Sequence, residues 1–393
     1  MKKYNSLAVF ALVFYPLFLI ALGVKYALDF EVSWFEFLLF ITGYYASTIA
    51  VGVGLHRLWS HDSYKINKYA EFILVLLSAG TLQGPVLSWA SNHFKHHRYT
   101  DTEMDPHTPL KYESKVKGFF WAHMGWMLVG EGSYKSIDKV TMVKLGRNKM
   151  LRWQLQNYWI ISTTMNTAVP ALVGYLFGHS LLAAYAGFLF IGLGRALQQQ
   201  ITFFVNSLCH FAGTKKYVQG TAGDIWWLFF LLLGENWHNY HHAFPSDYRN
   251  GAKWYQVDIH KWIIYLMSIC GLAWDLKKTP SARIQAKAAQ TTELDIKMRN
   301  AQITAMYEKA HELALAVRSK LAELDGASSK VKGEFKASLA QMQENLSGVV
   351  QQLDFQLRNF DPSEKIITVC RRKLQKLDQT WQKLYAELDR TAV

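Results

Sequence analysis

Hydrophobic positions in this chain form long unbroken blocks over its first half and narrow periodic stripes over its last third. Residues 7–24, 37–55, 158–177 and 181–197 are apolar over lengths near the ~20 residues a helix needs to cross a bilayer. Short polar joins at residues 25–36 and 178–180 pair them, so the pattern predicts two membrane hairpins. The first block follows Met1-Lys2-Lys3, as a secretory leader would. It is too long for a leader core and lacks a small-residue cleavage site, which predicts a retained span. Residues 225–233 and 262–272 are too short to span and are expected as interfacial or core helices. Residues 70–89 are long enough, but Ser78, Gln83, Gly84 and Pro85 interrupt them.

The pattern changes near Thr279-Pro280. Apolar residues then recur at three- and four-residue intervals in three series: Ile303 to Leu324, Phe335 to Leu353, and Ile367 to Leu388, with breaks at Gly326 and Asp361-Pro362. That spacing predicts a coiled coil or small helical bundle. The expected fold is therefore all-α and integral to the membrane: a four-span domain over residues 1–280 and a helical extension over residues 281–393.

Charge orients this scheme. Lys and Arg crowd residues 56–157 and everything after the fourth block, whereas the first short loop carries Asp29 and Glu31. The positive-inside rule then puts both termini and the long middle section in the cytoplasm. With spans present, the net charge of +13 points to anionic lipid or an acidic substrate before nucleic acid. Cys209, Cys270 and Cys370 have no paired spacing, which excludes a disulfide framework and a cysteine-held cluster.

Nine of the fourteen histidines fall in four clusters: His56 and His61, His93, His96 and His97, His210, and His238, His241 and His242. Residues at i, i+3 and i+4 share a helical face, so each HxxHH box is expected to aim its rings at one point. Asn206 and His210 are expected on one face beyond the fourth span. Neutral imidazole suits first-row metals, and nine are too many for one ion and about right for two. One HxxHH by itself can be chance or a solvated face; four clusters at one membrane face point to a di-metal site. A single site also requires residues 70–89, which lie between the first two clusters, to enter and leave on the same side. His107, His123, His179, His260 and His311 lie outside the clusters and are expected in ordinary polar roles.

At these residues the chain resembles the membrane-bound fatty acid desaturase superfamily, and within it the Δ9 acyl-CoA (stearoyl-CoA type) branch and its bacterial relatives. The matching motifs are HRLWSH at His56, HxxHH at His93, DPH at Asp105, GFFWAHMGW at Gly118, NSLCH at Asn206 and GENWHNYHHAFPSDYRNG at Gly234. The resemblance covers residues 1–278. It implies nine metal ligands (His56, His61, His93, His96, His97, His210, His238, His241 and His242), with Asn206 acting through water. It further implies two ferrous ions, O2 as co-substrate, and four spans capped by a cytosolic domain above a narrow acyl tunnel. Trp89 matches a tunnel-wall position, and Phe203 stands where relatives carry tryptophan. Asp105, Glu235 and Asp247 are candidate partners for the ligating rings, and equally read as surface or capping carboxylates.

The implied substrate is a saturated long-chain acyl group, with a cis double bond introduced at Δ9. Acyl-CoA binders of the family carry cations where this chain has Ser91, Asn92, Gly130 and Glu131, so CoA and a membrane glycerolipid both stand as carriers. No haem motif of the cytochrome b5 type appears, so electrons are expected from a separate ferredoxin, cytochrome b5 or reductase. The helical extension is expected to pack as a bundle, to oligomerise or to dock a partner. Two competing functions stay open: a di-iron membrane hydroxylase, and a metal-binding scaffold without catalysis. HRLWSH and NSLCH favour the desaturase.

Overall fold

The computed structural model describes residues 4–129, 137–324, 330–358 and 363–391. Lys2, Lys3, Gly130, Glu131, Gly326, Asp361 and Pro362 lie outside the described residues. The chain forms two compact units, Met1–Ala288 and Ala289–Val393.

In the first unit, four helices are long and apolar enough to cross a membrane: Ser6–Asp29, Trp34–Ser60, Tyr158–Gly178 and Leu181–His210. Each runs past its apolar block. The second span starts with a capping box, in which Ser33 and Glu36 satisfy each other's free backbone N–H groups. The second and fourth spans meet at glycines. A Cβ on Gly194 would sit 2.0 Å from the Phe40 carbonyl oxygen, and one on Gly43 would sit 2.1 Å from that of Ile191. Such backbone contact is how helices gain packing where lipid supplies no hydrophobic drive between them. Phe10, Phe14, Leu38, Ile160 and Phe177 point outward and exposed, as a lipid-facing surface requires.

Residues 70–89 do not form one helix. Lys68–Gly80 ends, the chain turns through Leu82 and Gly84 at positive φ, and Val86–Tyr99 runs back. Glutamines hold the polar groups freed at the turn: Gln199 donates to the carbonyls of Thr81 and Leu82, and Gln154 accepts from the Val86 N–H. Irregular backbone next to membrane spans needs such internal partners. The helix pair thus returns His93, His96 and His97 to the end of the second span. Residues 225–233 also differ from a single helix. They form a 3-10 turn, Trp226–Leu228, and one α-turn, Phe229–Leu232, with Trp226 and Phe230 exposed and Leu228 and Leu232 buried.

The helix Ser281–Leu324 begins in the first unit, and from Ala289 onward it builds the second unit together with Lys330–Leu357 and Glu364–Thr391. Its core draws on all three: Ile303, Leu313 and Val317, then Leu339, Leu346 and Leu353, then Ile367, Cys370 and Leu374. These are the three heptad series packed on one another. The first unit runs to Ala288, and Ile284 and Ala288 pack against Tyr217, Tyr240 and Phe244. Truncation after Ala288 is therefore expected to leave the first unit folded, whereas truncation after Lys278 strips Ile284 and Ala288 from that cluster and lowers the melting temperature in detergent. Equal melting of the two truncations would contradict this boundary.

Candidate metal centre

Helix geometry at the end of the second span brings the first two ligand candidates together. Residues five apart diverge in an α-helix, but Ala50–Ser60 is a π-helix, and the His61 N–H bonds the His56 carbonyl. The two rings lie 4.8 Å apart between centroids. The fourth span is α-helical only to Asn206, and His210 follows on a 3-10 turn, so these two do not share a helical face as the spacing predicts.

All nine clustered histidines meet, in two sets. His56, His61, His93, His97 and His241 form one, and His96, His210, His238 and His242 the other; within each, the ligand atoms lie within 4.8 Å of one another. In the first set Nε2 atoms face each other at 3.0 Å (His56–His241), 2.7 Å (His61–His93) and 2.9 Å (His97–His241). In the second they do so at 3.2 Å (His96–His242), 2.9 Å (His210–His238) and 3.1 Å (His238–His242). A neutral imidazole has one N–H and one lone pair, so four or five converging Nε2 atoms cannot all satisfy one another. A cation at each focus satisfies them together, and the donor set fits two metal ions. Each HxxHH box is split between the sets, against the expectation of one point per box. His93 and His97 share a face at i and i+4 while His96 turns to the other set; His238 and His242 pair the same way while His241 crosses over.

The outer ring nitrogens are held from behind. His96 Nδ1 meets Asp105 at 3.0 Å, His56 Nδ1 lies 2.5 Å from Glu235 Oε2, and His210 Nδ1 meets the Thr221 hydroxyl at 2.7 Å. Such partners turn the Nε2 lone pair inward. Glu235 also accepts from Arg57, His260 and Asn250, and Arg57 in turn pairs with Asp258. Burial pushes the Glu235 carboxyl up, but His56 and the Arg57 guanidinium beside it outweigh that and hold the group well below its usual range. Asp247 does not join the site. It accepts from Tyr240, Arg249 and the Thr279 N–H, which anchors the segment after the last box.

Burial, then the neighbouring imidazoles, hold His61, His93, His96, His97, His241 and His242 well below the ordinary 6.5, and His238 falls to about 3. These rings stay neutral, with lone pairs free, until the pH falls well under 6.5. Cobalt loading of the apo protein is therefore expected to stay level from neutral pH to about 6 and to fall only in stronger acid. Metal content after gel filtration measures it, and half-loading near pH 6.5 would contradict the burial argument.

Beside the two sets lies a cavity of about 100 Å3, walled by Thr48, Val51, Trp89, Phe203, Asn206 and Leu232 among others. Trp89 stacks on His93 at 5.0 Å and donates to Gln83. Gln83, Met127 and Phe203 also border a second cavity of about 240 Å3 between the first and third spans, lined by Ala8, Ala11, Leu12 and Tyr158. His107 and His260 were expected in ordinary roles, yet both sit at the site. His107 lines the first cavity and stacks on His96 at 4.1 Å, and His260 is fully buried against Glu235. The DPH motif carried the signal for His107; His260 had none.

Four potential spans, two adjacent histidine foci and an apolar cavity beside them define a membrane protein with a histidine-rich site whose donor atoms fit metal ions. Residues 32–265 match the fatty acid desaturase family, and the chain belongs to that family. It is 36% identical over 270 residues to acyl-CoA desaturase 1 of Saccharomyces cerevisiae, covering 67% of this chain and 51% of that protein. It is 36% identical over 257 residues to a probable acyl-CoA desaturase of Schizosaccharomyces pombe, covering 64% and 51%. It is 32% identical over 269 residues to Delta-9 acyl-lipid desaturase 2 of Arabidopsis thaliana, covering 67% and 80%. The chain thus spans about half the length of the yeast relatives it matches.

Proposed function

We propose that this chain is an O2-dependent fatty acyl desaturase that holds two iron ions in its two histidine sets and forms a cis Δ9 double bond in a saturated chain of about 16 to 18 carbons. The observation that carries the reading is the pair of imidazole foci beside a narrow apolar cavity. The overall balance is R–CH2–CH2–R′ + O2 + 2 e− + 2 H+ → R–CH=CH–R′ + 2 H2O. Bound iron supplies the reduction of O2 and the removal of hydrogen from two neighbouring methylenes.

The protein's own residues do the positioning. Trp89, Val51, Phe203 and Leu232 hold the chain by apolar contact, and the width of the cavity limits which methylenes lie beside the rings. Asn206, on the cavity wall, would act on one of the ions through water, as the family resemblance implies. Asp105 and Glu235 orient His96 and His56 from behind. The electrons come from a separate redox protein, and the site and both termini face the cytoplasm, as the Lys and Arg distribution favours.

For the carrier, a membrane glycerolipid fits the local chemistry better than CoA. Ser91 is buried and hydrogen-bonded to Asp138, so a carboxylate stands near a position where acyl-CoA binders present a cation. The relatives' names cover both carriers. Purified enzyme with a redox donor, given labelled stearoyl-CoA or labelled phosphatidylcholine, separates them by mass spectrometry of the product. Turnover of the phosphatidylcholine is expected, and turnover of the CoA ester alone would overturn the glycerolipid assignment.

A further inference from the structure

Two of the metal sites' supporting carboxylates touch a ring directly. A third reaches one through a hydroxyl. Asp101 Oδ2 accepts from the Thr221 backbone N–H at 2.7 Å, and its Oδ1 accepts from the Thr221 hydroxyl. The same hydroxyl oxygen lies 2.7 Å from His210 Nδ1. A threonine hydroxyl has one hydrogen. With that hydrogen directed to the carboxylate, the oxygen can only accept from the ring. His210 Nδ1 must then carry the proton, and Nε2 keeps its lone pair. That Nε2 faces His238 Nε2 at 2.9 Å inside the four-histidine set.

The backbone bends to make this contact. Asp101 has φ 66, a left-handed conformation that a side chain enters at a cost. Gly220 has φ 126, and a Cβ there would stand 2.7 Å from Asp101 Oδ2, so the approach needs glycine. Asp101 follows the helix Val86–Tyr99 that carries His96, and Thr221 lies after the fourth span. The contact therefore ties together two segments that each supply a ring to the same set.

We propose that Thr221 and Asp101 are positioning residues that fix the protonation and orientation of His210 for metal binding, a relayed counterpart to the direct Asp105–His96 contact. The proposal rests on the two-metal reading above. Replacing Thr221 with valine keeps the shape and removes the oxygen. Asp101→Asn leaves one acceptor oxygen; an amide turned to donate toward the hydroxyl would reverse the relay and favour the tautomer that blocks Nε2. Thr221→Ser keeps the hydroxyl.

The test uses full-length protein in detergent, loaded anaerobically with Fe2+ or with Co2+ and titrated against a chelator. Metal per chain and apparent affinity are read, with circular dichroism and gel filtration as controls for fold. Wild type is expected to hold two ions. Thr221→Val and Asp101→Asn are expected to weaken one of the two by about 10- to 100-fold, and Thr221→Ser to match wild type. Wild-type loading in Thr221→Val or Asp101→Asn overturns the relay. So does a Thr221→Ser protein that loads no better than Thr221→Val. If Thr221→Val misfolds, Asp101→Asn against Thr221→Ser decides. A wild type that holds fewer than two ions refutes the two-metal reading itself, which is a separate result.

Discussion

Replacing His96 or His241 with alanine is expected to abolish double-bond formation, with a fall of at least about a thousandfold, while the helical content stays unchanged. The two residues sit in different sets, His96 with His210, His238 and His242, and His241 with His56, His61, His93 and His97. Each substitution removes one donor from one focus. If two ions act as a unit, losing either should be as damaging as losing both. The fold should survive because each side chain converges on the imidazoles of its own set rather than on the apolar core; a large buried cluster that packs the domain is built from Val53, Leu55, Val75, Leu87, Leu151 and their neighbours. Product yield and metal content, measured on the same detergent preparations, check this. Activity within a few-fold of wild type in either variant would remove that residue from the ligand set.

Glu235→Ala is expected to be the most destabilising single change at the site. The carboxylate is buried and holds Arg57 at 2.9 Å, His260 at 2.9 Å and Asn250 at 2.9 Å, with His56 at 2.5 Å. Arg57 is itself buried and would keep only Asp258 and the Tyr248 carbonyl. Removing one member of a buried charged network leaves the rest desolvated without compensation, a loss of about 3–5 kcal/mol. Thermal unfolding in detergent should show a large drop in midpoint, and metal content should fall in the five-histidine set. Glu235→Gln keeps the shape and two acceptor contacts at most, so a smaller drop is expected. Equal melting of Glu235→Ala and wild type would contradict the network.

The spans were legible because a helix can cross lipid only when it is long and apolar, and that demand writes itself into composition. The nine histidines were legible because HxxHH is a helical pattern with few other uses at such density. What the spacing could not give was the division of each box between two foci. That depends on the angle at which the helices Val86–Tyr99 and His238–Ala243 face each other, a tertiary quantity. The π-helix under His56 was hidden for a related reason: Ala50–Ser60 reads as ordinary apolar helix, and only packing decides its hydrogen-bond register. Supporting residues were the hardest. Asp105, Glu235 and Asp247 look alike in sequence, yet the first two touch rings and the third anchors Arg249 and Thr279. Asp101 and Thr221 lie 120 positions apart and belong to no helical pattern, so nothing local marks them as partners. In the extension, heptad spacing carried the three helices directly, because there the core is made of the same residues that set the period.

The central claim is that the paired histidine sites serve to desaturate an acyl chain. Its most direct test is expression of the whole chain in a host that cannot make unsaturated fatty acids, followed by fatty acid analysis with double-bond location by dimethyl disulfide adducts. The account predicts growth and a dominant cis Δ9 monoene of 16 or 18 carbons, absent when His96 or His241 is replaced. A dominant hydroxylated product, or growth that persists in both histidine variants, would contradict it.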